Sequence, residues 1–156
     1  MFAIRSYNNT QCELSIEKLR LDYLICKKEK LYSKFFPLTT KITDNKNTGN
    51  EMKDKMAEYI HELHKVNKNT GMSLAQEIDE QRNKVNELKY YLKLMEKAFK
   101  ELSGIEYELY KAIVDKGMSI NKAVEKVAGN KNKDVSTIWK YHYPKISKEI
   151  KKLKIL

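Results

Sequence analysis

The residues best equipped for chemistry lie toward the C-terminal end: Lys131, Lys133, Ser136, Thr137, Lys140, Tyr141 and Lys145. Lysine ammonium groups neutralise phosphates or reach guanine, and Ser and Thr hydroxyls donate to or accept from base edges and phosphate oxygens. This set holds charges and hydrogen-bonding groups but no nucleophile paired with a base. Its chemistry is recognition of a polyanion rather than bond breaking. A second constellation, His61 and His64 with Glu58 and Glu62, shares a helical face but lacks a well-placed third metal ligand, and solvated helix histidines are far commoner than ligands. Cys12 and Cys26 are too few for a disulfide framework and lack the paired spacing of a zinc site, so buried free thiols in a reducing cytoplasm are expected. There is no Gly-rich phosphate loop and no defensible catalytic triad, which makes an enzyme the weakest class and implies no cofactor.

The elements that must position these residues are helical. At 156 residues the chain holds one compact domain or two small units joined by something extended. With 41% apolar and 33% charged residues, but only 5 Gly and 2 Pro, it is too apolar for disorder and too poor in turn formers for a many-stranded β protein. An all-α fold is expected. The 31 Lys+Arg against 21 Asp+Glu leave a net charge of +10, unevenly spread: +4 on residues 1–50, zero on 51–104 and +6 on 105–156. The final 28 residues alone hold 8 Lys against Asp134 and Glu149. The neutral middle suits a solvated interaction helix, and the basic end is the candidate polyanion-binding surface. The opening residues show no basic segment followed by an apolar stretch, and no apolar run is long enough to span a bilayer. A cytoplasmic protein without a membrane partner is expected.

Periodicity divides the chain into four parts. Residues 1–38 form an N-terminal helix from about Glu13 to Phe36, with Leu14, Leu19, Tyr23, Leu24, Leu31, Phe35 and Phe36 at near-helical spacing, ended by Pro37. Residues 39–50, rich in Asn, Thr and Lys, read as a linker. Residues 51–103 form a long helical or coiled-coil region, either one helix or a hairpin. Here Met52, Met56, Tyr59, Leu63 and Val66 make one seam. Leu74, Ile78, Gln81, Val85, Leu88, Leu92, Met95, Phe99 and Leu102 make another. The phase slips by one residue between the two seams, which predicts a break near Asn69–Ser73, with Ser73 as N-cap and Gln76 completing a capping box. The exposed stripe must be covered by the first helices or by another chain, so a homodimer through residues 74–102 is one expectation, with Gln81 setting register. Tyr90, Tyr91, Tyr107 and Tyr110 are expected at seam or core positions.

Residues 104–156 contain three short helices. Ser103 is placed to cap the first, with Glu106 as the third residue of a capping box; Ser119 caps a second, Ile120–Ala128. Gly129–Asp134 reads as a polar turn, and Asp134 caps a last helix that Pro144 kinks or ends, since proline has no amide for the carbonyl of Lys140. Two helices joined by a turn, the second at the surface, form a helix-turn-helix that places its second helix in the DNA major groove. His142, between Tyr141 and Tyr143, fits DNA contact or packing better than acid-base work.

The stretch ELSGIEYELYKAIVDKGMSINKAVEKVAGNKNKDVSTIWKYHYPKI resembles the helix-turn-helix of sigma factor region four, whose preceding helix ends in a Gly-x-Ser turn, here Gly117-Met118-Ser119. The order of N-terminal helix, linker, long helical segment and terminal helix-turn-helix resembles the small phage-encoded transcriptional regulators of the ArpU and RinA type. That resemblance implies binding of double-stranded DNA through Ser136, Thr137, Lys140 and their neighbours, and activation of phage late genes in contact with host RNA polymerase. The rival is a helical DNA-binding assembly protein such as a phage small terminase subunit, which tends to place the DNA-binding unit first and the oligomerisation helices after it.

Overall fold

Helices occupy most of residues 3–38 and 48–155, the residues described in this computed structural model. In chain order they are α1 (Tyr7–Phe35), α2 (Thr48–His64), α3 (Leu74–Glu101), α4 (Gly104–Val114), α5 (Ile120–Lys131), the single turn α6 (Val135–Thr137) and α7 (Tyr143–Lys152). A π-helical turn, Ile138–His142, joins the last two. The fold is all-α. Among the described residues the one strand pair is two residues long: β1 (Ala3–Ile4) runs antiparallel to β2 (Lys154–Ile155), with Ala3 opposite Ile155 and Ile4 opposite Lys154. The linker expected at 39–50 lies outside the described residues as far as residue 47. Among the described residues no helix is long and apolar enough to cross a membrane.

The chain divides into two compact units, one formed by Met1–Ser15 with Asn86–Leu156 and the other by Ile16–Val85. In the second unit the expected break falls where the phase of the seams slips. Helix α2 stops at His64, and Gly71, at φ 70°, turns a loop closed by hydrogen bonds from the Gly71 amide to the Asn67 carbonyl (2.8 Å) and from the Asn67 amide to the Met72 carbonyl (2.9 Å). The capping box then starts α3. The Ser73 amide donates to Gln76 Oε1 (2.9 Å), and the Gln76 amide donates to Ser73 Oγ (3.2 Å).

The α3 seam is buried within the chain. Ile78, Gln81, Val85, Leu88, Leu92 and Met95 are all shielded from solvent, with Ala98 taking the last inward place beside half-buried Phe99. The α2 seam is only partly realised: Tyr59 and Leu63 are buried, whereas Met52, Met56 and Val66 are exposed. Tyr59 sits edge-on to Tyr32 (5.3 Å between ring centroids) and Phe35 (6.4 Å), and burial, with Tyr32 adding, raises its phenol pKa.

Gln81, the polar member of the α3 seam, finds its partner on α1. Its Nε2 donates to the backbone carbonyl of Glu17 at 2.9 Å and to the Glu17 carboxylate, whose other oxygen accepts from Arg20 at 2.6 Å. Glu17 and Gln81 are both buried, so each satisfies a group that would otherwise be stranded.

Several expectations for α1 are corrected. The helix begins at Tyr7 rather than Glu13, because Ser6 Oγ accepts the Asn9 amide (3.2 Å) and the buried Thr10 hydroxyl donates to the Ser6 carbonyl (2.7 Å). Leu19 and Tyr23 point to solvent, so the two apolar rows of α1 face opposite ways. Cys12 and Cys26 are exposed rather than buried, since both lie on the outer side of this helix. Tyr90 is also exposed, being one residue off the seam.

The pairing of Glu17 with Gln81 generates a stability prediction. Gln81→Ala should destabilise the chain by about 1–3 kcal/mol, because it strips a donor from a buried carboxylate. The double variant Glu17→Met/Gln81→Leu should recover most of that loss. Urea denaturation of the single and double variants measures it; a double variant no more stable than the single would show that the pair is not coupled.

Candidate nucleic-acid interface

The C-terminal helices are organised by capping and by one shared core. Helix α4 leaves through Gly117, whose φ of 66° needs a residue without a side chain, and the Met118 amide returns to the Ala112 carbonyl at 3.0 Å. Ser119 then caps α5, its Oγ accepting the Lys122 amide at 3.4 Å. The expected turn at Gly129–Asp134 is shorter than the sequence suggested. Gly129, Asn130 and Lys131 stay helical, and the reversal is made by Asn132 in the left-handed region (φ 49°). The Lys133 amide bonds back to the Ala128 carbonyl at 3.0 Å, the wrap that ends many helices at a left-handed residue. Only Asn132, Lys133 and Asp134 separate α5 from α6, a connection of three residues.

The second helix of the pair is continuous from Val135 to Lys152. Asp134 occupies its N-cap without a side-chain bond; its carbonyl takes the Thr137 amide at 3.0 Å. The helix passes through Pro144 instead of ending there. Proline cannot donate to Lys140, and the chain widens by one residue so that the Tyr143 amide reaches Ile138, five residues back. Ile138, Ile146, Ile150 and Leu153 are buried, as are Leu109, Tyr110, Ile113 and Val114 of α4 and Ala123, Val124, Val127 and Ala128 of α5; α7 packs on α4, and the π-helical turn on α5. Burial, with the Glu149 carboxylate adding, pushes the Tyr110 phenol above its ordinary range, so it stays neutral.

Glu106 is not used as expected. Ser103 is the N-cap of α4 but makes no side-chain cap bond, and the Glu106 carboxylate turns to the second helix instead of back to the Ser103 amide. His142 Nδ1 lies 3.0 Å from Glu106 Oε1, and Lys145 Nζ donates to the same oxygen at 2.9 Å. Burial opposes the carboxylate charge, but the hydrogen bonds from Lys145 and His142 outweigh it and hold the pKa at about 2, below the ordinary 4.5. The sequence carried a signal for this, an acidic residue ahead of a basic helix, but helix-start rules claim the same residue for a cap.

The expected contact residues fall into two groups. Lys131 is tied to Glu108 of α4 (2.8 Å) and Lys145 to Glu106 (2.9 Å). Lys133, Ser136, Lys140 and Tyr141 are exposed, and Thr137 is half-buried. Lys133 and Lys140 form no ion pair among the described residues; Lys140 Nζ rests 5.2 Å from the Tyr141 ring centroid. Two further exposed groups join this set: Lys148, which the sequence reading did not name, and Trp139, expected to close the core or pack over the helix pair. Lys148 follows on the same helix, and Trp139 presents an edge-packed pair with Tyr143 (4.8 Å, 62°). Together these supply cations without an ion pair among the described residues, hydroxyls and aromatic faces along one helix and the turn before it, the groups that contact phosphates and bases.

Glu106 links stability to pH. A carboxyl whose folded pKa lies below its unfolded value contributes stability that is present above the ordinary 4.5 and lost as pH falls toward about 2. Glu106→Gln should therefore cost about 1–2 kcal/mol at pH 7 and almost nothing near pH 2. Denaturant titrations at the two pH values check this, and a difference of equal size at both would contradict it. No protein-family model, curated protein or solved structure matches the chain, so its function is argued from this geometry.

Proposed function

We propose that the chain is a sequence-specific DNA-binding transcriptional regulator that lays the Val135–Lys152 helix in the major groove of double-stranded DNA. The observation that carries this reading is the three-residue Asn132–Asp134 turn, which bears Lys133 and delivers a second helix with Ser136, Lys140 and Tyr141 exposed near its start. Lys133 and Lys140 supply phosphate or guanine contacts, Ser136 and Thr137 the hydroxyls at base edges or phosphates, and Tyr141 an aromatic face beside Lys140. Lys131 and Lys145, already satisfied by carboxylates, act by adding positive potential along the same face. The concentration of 8 Lys in the final 28 residues favours the same object. By its resemblance to phage regulators of the ArpU and RinA type, the chain would act as an activator of late genes in contact with host RNA polymerase.

Charge reversal of the two unpaired lysines tests this. Lys133→Glu/Lys140→Glu should weaken binding to double-stranded DNA at moderate salt by more than about tenfold and lower the salt slope by roughly 2, one for each phosphate no longer neutralised. Helicity should be unchanged, because both side chains are exposed. Electrophoretic shifts over a salt series, with circular dichroism alongside, give the result; unchanged affinity would rule out this helix as the contact surface.

A further inference from the structure

Helix α1 is apolar on two opposite sides. One row, through Leu14, Leu21, Leu24 and Leu31, is buried or half-buried. The other, Ile16, Leu19, Tyr23 and Cys26, is left in water: Ile16 is 51% exposed, Leu19 70% and Tyr23 62%, and Cys26 is exposed as well. Single exposed apolar side chains are ordinary on a protein surface. A row stepping by three, four and three is not scattered, because alternating steps of three and four keep every member on one line of a helix, the spacing of a coiled-coil seam. The occupant that such a row fits is another helix with the same spacing.

The charges beside the row say which helix and in which direction. Asp22 stands just before Tyr23 and Lys27 just after Cys26, so they flank the seam on opposite sides. When two identical helices run parallel, Asp22 of each copy meets Lys27 of the other; Glu29 meets Lys34 one heptad further on, beside Lys30 and Ser33, where the apolar row has ended. When they run antiparallel, acidic flank faces acidic flank, and the flank bearing Arg20 and Lys27 faces its own like charge. Neither Asp22, Glu29, Lys27 nor Lys34 forms an ion pair among the described residues; Lys27 and Lys34 only lie near their own aromatic neighbours, Tyr23 at 4.9 Å and Phe35 at 5.9 Å. Both signs are thus held ready for a second copy.

We infer that the Ile16–Leu19–Tyr23–Cys26 row is the seam of a parallel two-stranded coiled coil between two copies of this chain. This differs from a dimer through residues 74–102, whose seam is already buried within the chain, and it does not depend on DNA binding. It gives part of the basic surplus on the first fifty residues a role as the complement of Asp22 and Glu29.

Sedimentation equilibrium of the full chain, with circular dichroism as a control, is the test. The chain should sediment as a dimer. Leu19→Glu should weaken the dimer by at least about tenfold without loss of helicity, since the site is exposed in the single chain. Asp22→Lys should weaken it too, and Asp22→Lys/Lys27→Asp should restore it. In a Cys12→Ser background, where Cys26 is the one thiol, a short bis-maleimide should join two chains efficiently, because a parallel seam sets Cys26 opposite itself. A chain that is monomeric at high concentration, or a dimer indifferent to Leu19→Glu, would overturn the inference. A dimer that Leu19→Glu dissolves but that Cys26 fails to crosslink would overturn the parallel arrangement.

Discussion

The geometry of the C-terminal unit depends on an amide that Pro144 does not have. In a regular α-helix Ile146 would sit about 80° around the axis from Ile138 and Ile150 about 120°, which spreads the three across and beyond the core-facing stripe of a helix. With the carbonyl of Lys140 left without a proline donor, the backbone instead closes a five-residue turn from Tyr143 to Ile138. One extra residue in the turn brings the effective separation to seven, and the angular offset falls to about 20°. Ile138, Ile146 and Ile150 therefore face the same core and are fully buried. The residue that on first inspection ends the helix is the one that sets its register, and with it the outward direction of Ser136, Lys140 and Tyr141.

Carboxylates on α4 then divide the lysines into two classes. Glu106 and Glu108 hold Lys145 and Lys131, which fastens the second helix and the end of α5 to α4. Lys133 and Lys140 remain free of ion pairs among the described residues. A basic patch whose members were all paired would offer a ligand little that is not already satisfied. One whose members were all free would repel itself. The observed mixture fixes the scaffold with some cations and leaves others available at the exposed start of the second helix, where the DNA-binding proposal needs them.

Features governed by a few adjacent residues were legible from the sequence. The Ser73–Gln76 box, the Ser119 cap, the stop before Pro37 and the seam of α3 follow from short-range rules that the surroundings did not oppose. Where a residue had two possible partners, the distant one won. Glu106 left its cap for His142 and Lys145, and Gln81 took Glu17 of α1 as the partner that a seam position needs. Composition puts the turn after α5 at Gly129, yet Asn132 makes the left-handed reversal, so Gly129, Asn130 and Lys131 remain helical. Sides of helices were the least legible: both rows of α1 are apolar, and only packing shows that Leu19 and Tyr23 belong to the outer one.

The central claim is that the Val135–Lys152 helix reads the major groove. Methylation interference on duplexes selected for binding separates the grooves directly, because guanine N7 lies in the major groove and adenine N3 in the minor groove. The account predicts that methylation of guanine N7 at a few consecutive positions abolishes binding while methylation of adenine N3 there has little effect. Interference confined to adenine N3, or none from either base, would contradict it.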